Sequence, residues 1–326
     1  MSRYLLRRAA ASLLLLWLVV TLTFVLLHAA PGSPAQAMLG IGGPSGVRPG
    51  EQMRRLERVY GLDRPLPEQY LRWLGNAVRG EWGTSFATGR PVARMLGEAL
   101  PATLLLALAA TAVEYGVALP LGIWSARRRG SLGDHLVRAG SLVLFSLPIF
   151  WFALMAVLVF AYLWPVLPPS HLASPDAARL PLPGRLLDLA RHLVLPACVV
   201  GLALCGGTLR FVRNSLLEVL GQDYVRTARA KGLSEARVVG VHALRNAVAP
   251  LLLLLGVSLP SMLNGILVAE VVFSWPGVGQ VTFLAILTRD FPVLLATTTL
   301  AAVLVIAGNL AADLAHAAAD PRLRRA

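Results

Sequence analysis

Asp223-Tyr-Val-Arg-Thr-Ala-Arg-Ala-Lys-Gly-Leu233 is a basic helix ending in a glycine, set between two apolar stretches that are each long enough to cross a bilayer. Asp223 is placed to cap the helix N-terminus, Lys231 sits where a cation complements the helix dipole, and Gly232 can take the left-handed conformation that stops a helix. A second helix is expected at once, with Ser234 as its cap, Glu235 in its first turn, and Arg237, His242 and Arg245 spaced through Ala236 to Val248. Two helices thus meet at a glycine corner on the water side of a membrane protein.

The rest of the chain supplies the membrane. It is 56% hydrophobic and only 14% charged over 326 residues, too apolar to cover a soluble domain of that size. A formal net charge of +13 would suit nucleic acid, but the arginines flank apolar spans instead of gathering on one polar domain with interleaved aromatics. No nucleic-acid partner is expected. Cys198 and Cys205 lie on one face of an apolar span as small buried residues, with no loop cysteines to form a disulfide framework.

Six spans are expected, near Ala9 to Leu27, Pro101 to Trp124, Leu136 to Leu163, Leu193 to Leu209, Pro250 to Phe273 and Pro292 to His316. The fourth is short and carries Gly201, Gly206 and Gly207, which let neighbouring helices approach closely. The first is longer than the core of a signal peptide, so it is read as a retained span. Arg3, Arg7 and Arg8, then Arg127 to Arg129, then the corner, then Arg322, Arg324 and Arg325 all fall on one face, which the positive-inside rule makes cytoplasmic together with both termini. The segment from Pro31 to Leu100 holds nine arginines, but a connection this long crosses regardless of charge. It is read as an external layer with one helix near Glu51 to Tyr60 and a second from Pro65 to Val78 whose Tyr70, Trp73 and Leu74 form an apolar side. Trp73 and Trp82 are expected at headgroup level. The expected organisation is residues 1–30 as N-terminus and first span, 31–98 as external segment, 99–316 as a five-span core with a cytoplasmic loop at 210–249, and 317–326 as a cytoplasmic tail.

Several chemistries are excluded. Lys231 is the only lysine, and its neighbours Ala230 and Gly232 do not give the Gly-Lys-Ser/Thr core of a phosphate-binding loop. His-Glu-x-x-His, Cys-x-x-Cys and Gly-x-Ser-x-Gly are also missing from the sequence, so no metal, cofactor or catalytic residue is assigned to the chain. Glu114 and Glu270, with Asn264 before the latter, are polar groups inside spans and therefore candidates to line a translocation path, or else to bond structurally across helices. His28 and Asp313 lie at span ends, and Pro148, Pro250 and Pro260 interrupt or open spans.

Tyr224-Val-Arg-Thr-Ala-Arg-Ala-Lys-Gly-Leu-Ser234, followed by His242-Ala-Leu-Arg-Asn246, resembles the cytoplasmic signature loop of binding-protein-dependent ABC importer permeases, in their dipeptide/oligopeptide/nickel branch. Arg226, Thr227 and Ala228 stand where the general form has Glu-Ala-Ala, Gly232 is in register and Leu244 fits, while His242 and Arg245 depart from the general form and suit the peptide branch. The resemblance extends to Leu62 to Leu74, Gly83-Thr-Ser85, Phe145 to Trp151, Val272-Phe-Ser-Trp-Pro-Gly-Val-Gly279 and Asp320-Pro-Arg322.

The resemblance implies an all-α membrane protein, a six-helix importer permease with an external helical segment after the first span. It implies a similar second permease subunit, two cytoplasmic ATPases carrying ATP and magnesium, an external solute-binding protein and an inner-membrane location. Tyr224, Val225, Arg226, Thr227, Ala228, Arg229, Ala230, Lys231, Gly232 and Leu233 would then couple the bundle to an ATPase. Val225, Ala228 and Ala230 would offer an apolar docking surface, and Arg226 and Arg229 would pair with acids on the partner. The expected cargo is a peptide. Import of nickel or another small solute by the same route, proton-coupled transport through Glu114 and Glu270, and a basic loop that merely contacts anionic lipid are the alternatives.

Overall fold

The computed structural model describes residues 2–29, 63–238, 240 and 244–319. The helix expected near Glu51 to Tyr60, the Gly/Pro run before it, His242, and the tail motif Asp320-Pro-Arg322 lie outside the described residues. Ten helices of eight residues or more are described: α1 Ser2–Ala29, α2 Leu66–Val78, α3 Val92–Arg127, α4 Leu132–Ser146, α5 Ile149–Val157, α6 Leu182–Leu220, α7 Asp223–Ala230, α8 Leu244–Val272, α9 Val278–Thr288 and α10 Phe291–Ala319.

Among the described residues, four helical stretches have the length and hydropathy to cross a membrane: Ala10–Ala29, Val92–Arg127, Leu182–Leu220 and Phe291–Leu314. The third expected span is not straight. It is α4 and α5 with the π-helical turn Leu158–Leu163, bent by 99°. The cause is Pro148, whose ring bars the α region to the residue before it, so Leu147 is extended at φ −73° and ψ 129°. Counted together, this pair makes a fifth span. The fifth sequence-expected span falls on α8, of which Ser258–Val272 is a shorter apolar segment, and α8 runs through Pro250 and Pro260 without ending.

Two compact units are present, Ala102–Trp275 with Ala307–Ala326, and Ser2–Pro101 with Pro276–Ile306. In the first, α6 is central. Reading its sequence as a short, weak span underestimates it: the helix has 39 residues, starts after Pro181 with proline in its first turn, and buries Leu195, Val199, Val200, Leu209 and Val212 among others. The glycines explain how its neighbours come so near. A Cβ at Gly201 would stand 2.6 Å from the Ala110 carbonyl of α3, and one at Gly206 would collide with the Ser141 carbonyl of α4, whereas one at Gly207 would meet only the Phe145 ring at 3.8 Å. Gly206→Ala should therefore lower the thermal stability of the purified protein by about 1–3 kcal/mol while Gly207→Ala stays near neutral. Equal melting temperatures for the two variants would contradict this packing.

The loop after α8 is held by buried backbone and ring contacts. In the Val272 to Gly279 motif, Phe273 and Trp275 are buried, the Trp275 indole donates to the Ala102 carbonyl at 2.9 Å, and the His171 amide donates to the Phe273 carbonyl at 2.8 Å. Ser274 between the two rings sits in the left-handed region at φ +50°.

In the second unit, α2 packs its expected apolar side on α1. Tyr70 shares a 2.7 Å hydrogen bond with Thr21, and Phe24 meets the Tyr70 and Trp73 rings at centroid distances of 5.3 and 6.1 Å. Trp82 is half-buried against the cluster of Val92, Val278, Val293 and Ala296. The buried Asp290 carboxylate accepts from the Ser85 hydroxyl at 2.5 Å and the Ala87 amide at 3.1 Å, which ties the Gly83-Thr-Ser85 motif to the start of α10. Helix α9 was not expected from the sequence.

Candidate functional site

The corner forms as two helical pieces about a glycine. Helix α7 spans Asp223–Ala230, Lys231 is its C-cap, and Gly232 follows in the left-handed region at φ +76°. The cap position at the other end differs from expectation. Gln222 is the N-cap and Asp223 the first helical residue, so its carboxylate contributes to the helix dipole and reaches Arg226 at 3.5 Å on the exposed surface instead of closing a backbone amide. After Gly232, Ser234 caps a single turn Glu235–Arg237 by position and without a side-chain bond.

Amphipathicity fixes how α7 lies. Val225 and Ala228, three apart, are buried with Val238 against Leu220 and Leu233. These apolar side chains hold the corner onto its own chain and so are not an outward docking surface. The exposed face carries Tyr224, Arg226, Thr227, Arg229, Ala230 and Lys231. Arg229 is already engaged: its guanidinium donates to Glu235 at 2.7 and 3.3 Å across the glycine, and this pairing holds the Glu235 carboxyl below its ordinary value. Thr227 donates back to the Asp223 carbonyl at 2.9 Å. The ion pair across Gly232 links the two helical pieces, with Lys231 exposed between them.

A second polar cluster lies in the same unit. Asp134, in the first turn of α4, is buried and accepts both arms of Arg213 on α6 at 2.8 Å, the Ser125 hydroxyl at 2.5 Å and the Gly130 amide at 3.0 Å. Ser131 caps α4 by accepting from the Asp134 amide at 3.2 Å. The fork-to-fork pair joins the α3–α4 turn to the last turns of α6, directly before the corner. The Ser131-x-x-Asp134 spacing ahead of an apolar run is the sequence signal that could have marked this turn.

The pore candidates separate. Glu114 accepts from Thr208 at 2.5 Å and Glu270 from Thr103 at 2.7 Å, and both acids are buried. Each carboxylate bonds a hydroxyl on another helix, α3 with α6 and α8 with α3. Asn264, by contrast, is exposed on α8.

A family model described as the binding-protein-dependent transport system inner membrane component matches residues 118–325, and its companion N-terminal model matches residues 1–107. The chain belongs to this family. Among relatives of these transport components, the oligopeptide transport system permease protein AppB of Bacillus subtilis (strain 168) is 38% identical and the alignment covers 99% of both chains. The di/tripeptide transport system permease protein DppB of Pseudomonas aeruginosa (strain UCBPP-PA14) is 40% identical with 94% of both covered. The dipeptide transport system permease protein DppB of Escherichia coli (strain K12) is 34% identical with 99% of both covered. The fold is similar to that of a chain in an inward-facing structure of the MetNI methionine ABC transporter, at a TM-score of 0.57 and 18% identity over 71% of this chain and 98% of that one.

Proposed function

We propose that this transport-system component is a pore-forming permease of an ATP-driven peptide importer, with six spans, both termini in the cytoplasm and residues 31–98 outside. It pairs with a second, similar permease. Two ATPase subunits, which hold the ATP and magnesium, engage the corner from Tyr224 to Leu233, and an external solute-binding protein delivers cargo to the outer face. The observation that carries this reading is the corner itself: a helix-glycine-helix body with its apolar side buried at Val225 and Ala228 and its polar side exposed through Arg226 and Lys231. A basic loop that only contacted lipid would need no such closed geometry. The peptide names of three relatives that align along nearly their whole length support a peptide as cargo.

Two alternatives are weighed by the same experiment. In proteoliposomes holding this chain, its companion permease, the ATPases and a solute receptor, labelled dipeptide or oligopeptide should accumulate only when ATP is supplied to the ATPase side. Uptake by this chain alone down a proton gradient would replace the proposal with secondary transport. Uptake of nickel but no peptide by the full assembly would keep the mechanism and change the cargo.

A further inference from the structure

Helix α2 meets α1, its neighbour in the second unit, inside the stretch that crosses the membrane. The Tyr70 hydroxyl bonds Thr21, and the Tyr70 and Trp73 rings lie against Phe24; Thr21 and Phe24 both belong to the apolar stretch Ala10–Ala29. At 1.5 Å per residue these contacts stand about 8–12 Å short of the end of that stretch. They occupy one turn of each helix, the footprint of two helices that cross instead of running side by side. A helix crossing a span at that depth lies along the membrane plane, at the boundary of headgroups and acyl chains, which in-plane helices enter by about 5–10 Å.

The faces of α2 suit that position. At about 100° per residue, Tyr70, Trp73 and Ala77 share the half-buried side whose rings meet α1. To one side of it stand Leu71 and Val78, seven apart on one face, apolar yet 66 and 83% exposed. To the other side stand Arg72, Asn76 and Arg79, all exposed, with the Arg72 guanidinium 3.3 Å from Glu68. Held against α1 at this depth, the helix turns one of these edges toward acyl chains and the other toward headgroups and water. Their chemistry decides which is which: the leucine and valine enter hydrocarbon at a gain, and the arginines do not. A soluble protein approaching from water has no access to a strip at this depth.

We propose that α2 is an interfacial helix whose partner is the lipid surface of the leaflet in which α1 ends, with Leu71 and Val78 in the acyl boundary and Arg72 and Arg79 at the level of the lipid phosphates. The segment after the first span is thereby seated in the bilayer and does not project as a free layer. This seat requires that α1 crosses the membrane and is independent of the cargo and of the energy source.

The test is nitroxide accessibility in the full importer assembly, held in nanodiscs of phosphatidylglycerol and phosphatidylcholine, with Cys198 and Cys205 replaced by alanine. Labels at Val78→Cys and Leu71→Cys should relax more with oxygen, which concentrates among acyl chains, than with a water-soluble nickel chelate. A label at Asn76→Cys, on the opposite edge, should show the reverse, and one at Arg72→Cys should fall between. Leu22→Cys on α1, 59% exposed, reports the span itself and should prefer oxygen. An unchanged melting temperature marks each labelled protein as folded, and the two strip positions report independently should one of them fail to assemble. A preference for nickel at Val78 and Leu71 with oxygen preferred at Leu22 would overturn the seat alone, whereas nickel preferred at all three would remove the span as well. Shielding of Val78 and Leu71 from both reagents, or shielding that develops only when the solute receptor is added, would put a protein in place of the lipid and equally overturn it.

Discussion

Gly232→Val is expected to leave the protein inserted and folded while cutting ATP-dependent uptake by roughly tenfold or more. A Cβ at this position would find no atom within 4 Å, so the substitution creates no clash. Its entire effect comes from the backbone, since φ is +76° and a β-branched residue resists the left-handed region. A cost of about 1–2 kcal/mol, a factor of roughly 5–30 in population, falls on the one conformation that brings Arg229 to Glu235. The corner would open, and ATP hydrolysis would continue without transport. Gly232→Asn, whose side chain tolerates this region, should retain most uptake. Comparable uptake by the valine variant and wild type would show that the turn is not needed for coupling.

Asp134→Ala should produce the largest loss of stability of any single substitution considered. Removing the carboxylate strands Arg213 with 11% of its side chain exposed and takes away the acceptor for Ser125 and Gly130 as well. Breaking such a pair costs about 3–5 kcal/mol, mostly from the uncompensated charge. Thermal unfolding in detergent should show a much lower midpoint and the membrane should hold less protein. Adding Arg213→Met to Asp134→Ala should recover part of the loss, since the uncompensated charge is gone while the Ser125 hydroxyl and the Gly130 amide still lack their acceptor. A single variant as stable as wild type would mean that the pair does not join the α3–α4 turn to α6.

The corner is legible because its signals are local: a helix of eight residues, a lysine at its end, and a glycine whose left-handed geometry needs no distant partner. The position of the cap is less legible, since Asp223 and Gln222 are neighbours and only the backbone angles decide which lies outside the helix. The side on which Val225 and Ala228 face is not legible at all. A short amphipathic helix reads the same whether it lies on its own chain or on a partner. Asp134 with Arg213 and Ser85 with Asp290 are far apart in sequence, and nothing local announces either pair.

Hydropathy and helix length diverge at two of the expected spans. Arg210, Arg213 and Glu218 mark the end of α6 as polar, yet the helix runs on to Leu220 because Val212 and Leu216 stay buried on its inner face. Pro148 is visible in the sequence, but that it bends the third span by 99° and does not merely kink it depends on how α4 and α5 each pack. Gly201 and Gly206 were legible as close-contact sites by type, and the structure supplies the carbonyls they approach.

The central claim is that a separate ATPase works this permease through the corner. Its most direct measurement is site-specific cross-linking in the active assembly. With Cys198 and Cys205 replaced by alanine, a single cysteine at exposed Ala230 should join this chain to an ATPase subunit in high yield, and the yield should change when ATP is bound. An assembly that still imports peptide, but in which no single cysteine from Tyr224 to Leu233 joins the ATPase while one in the α3–α4 turn does, would contradict the account.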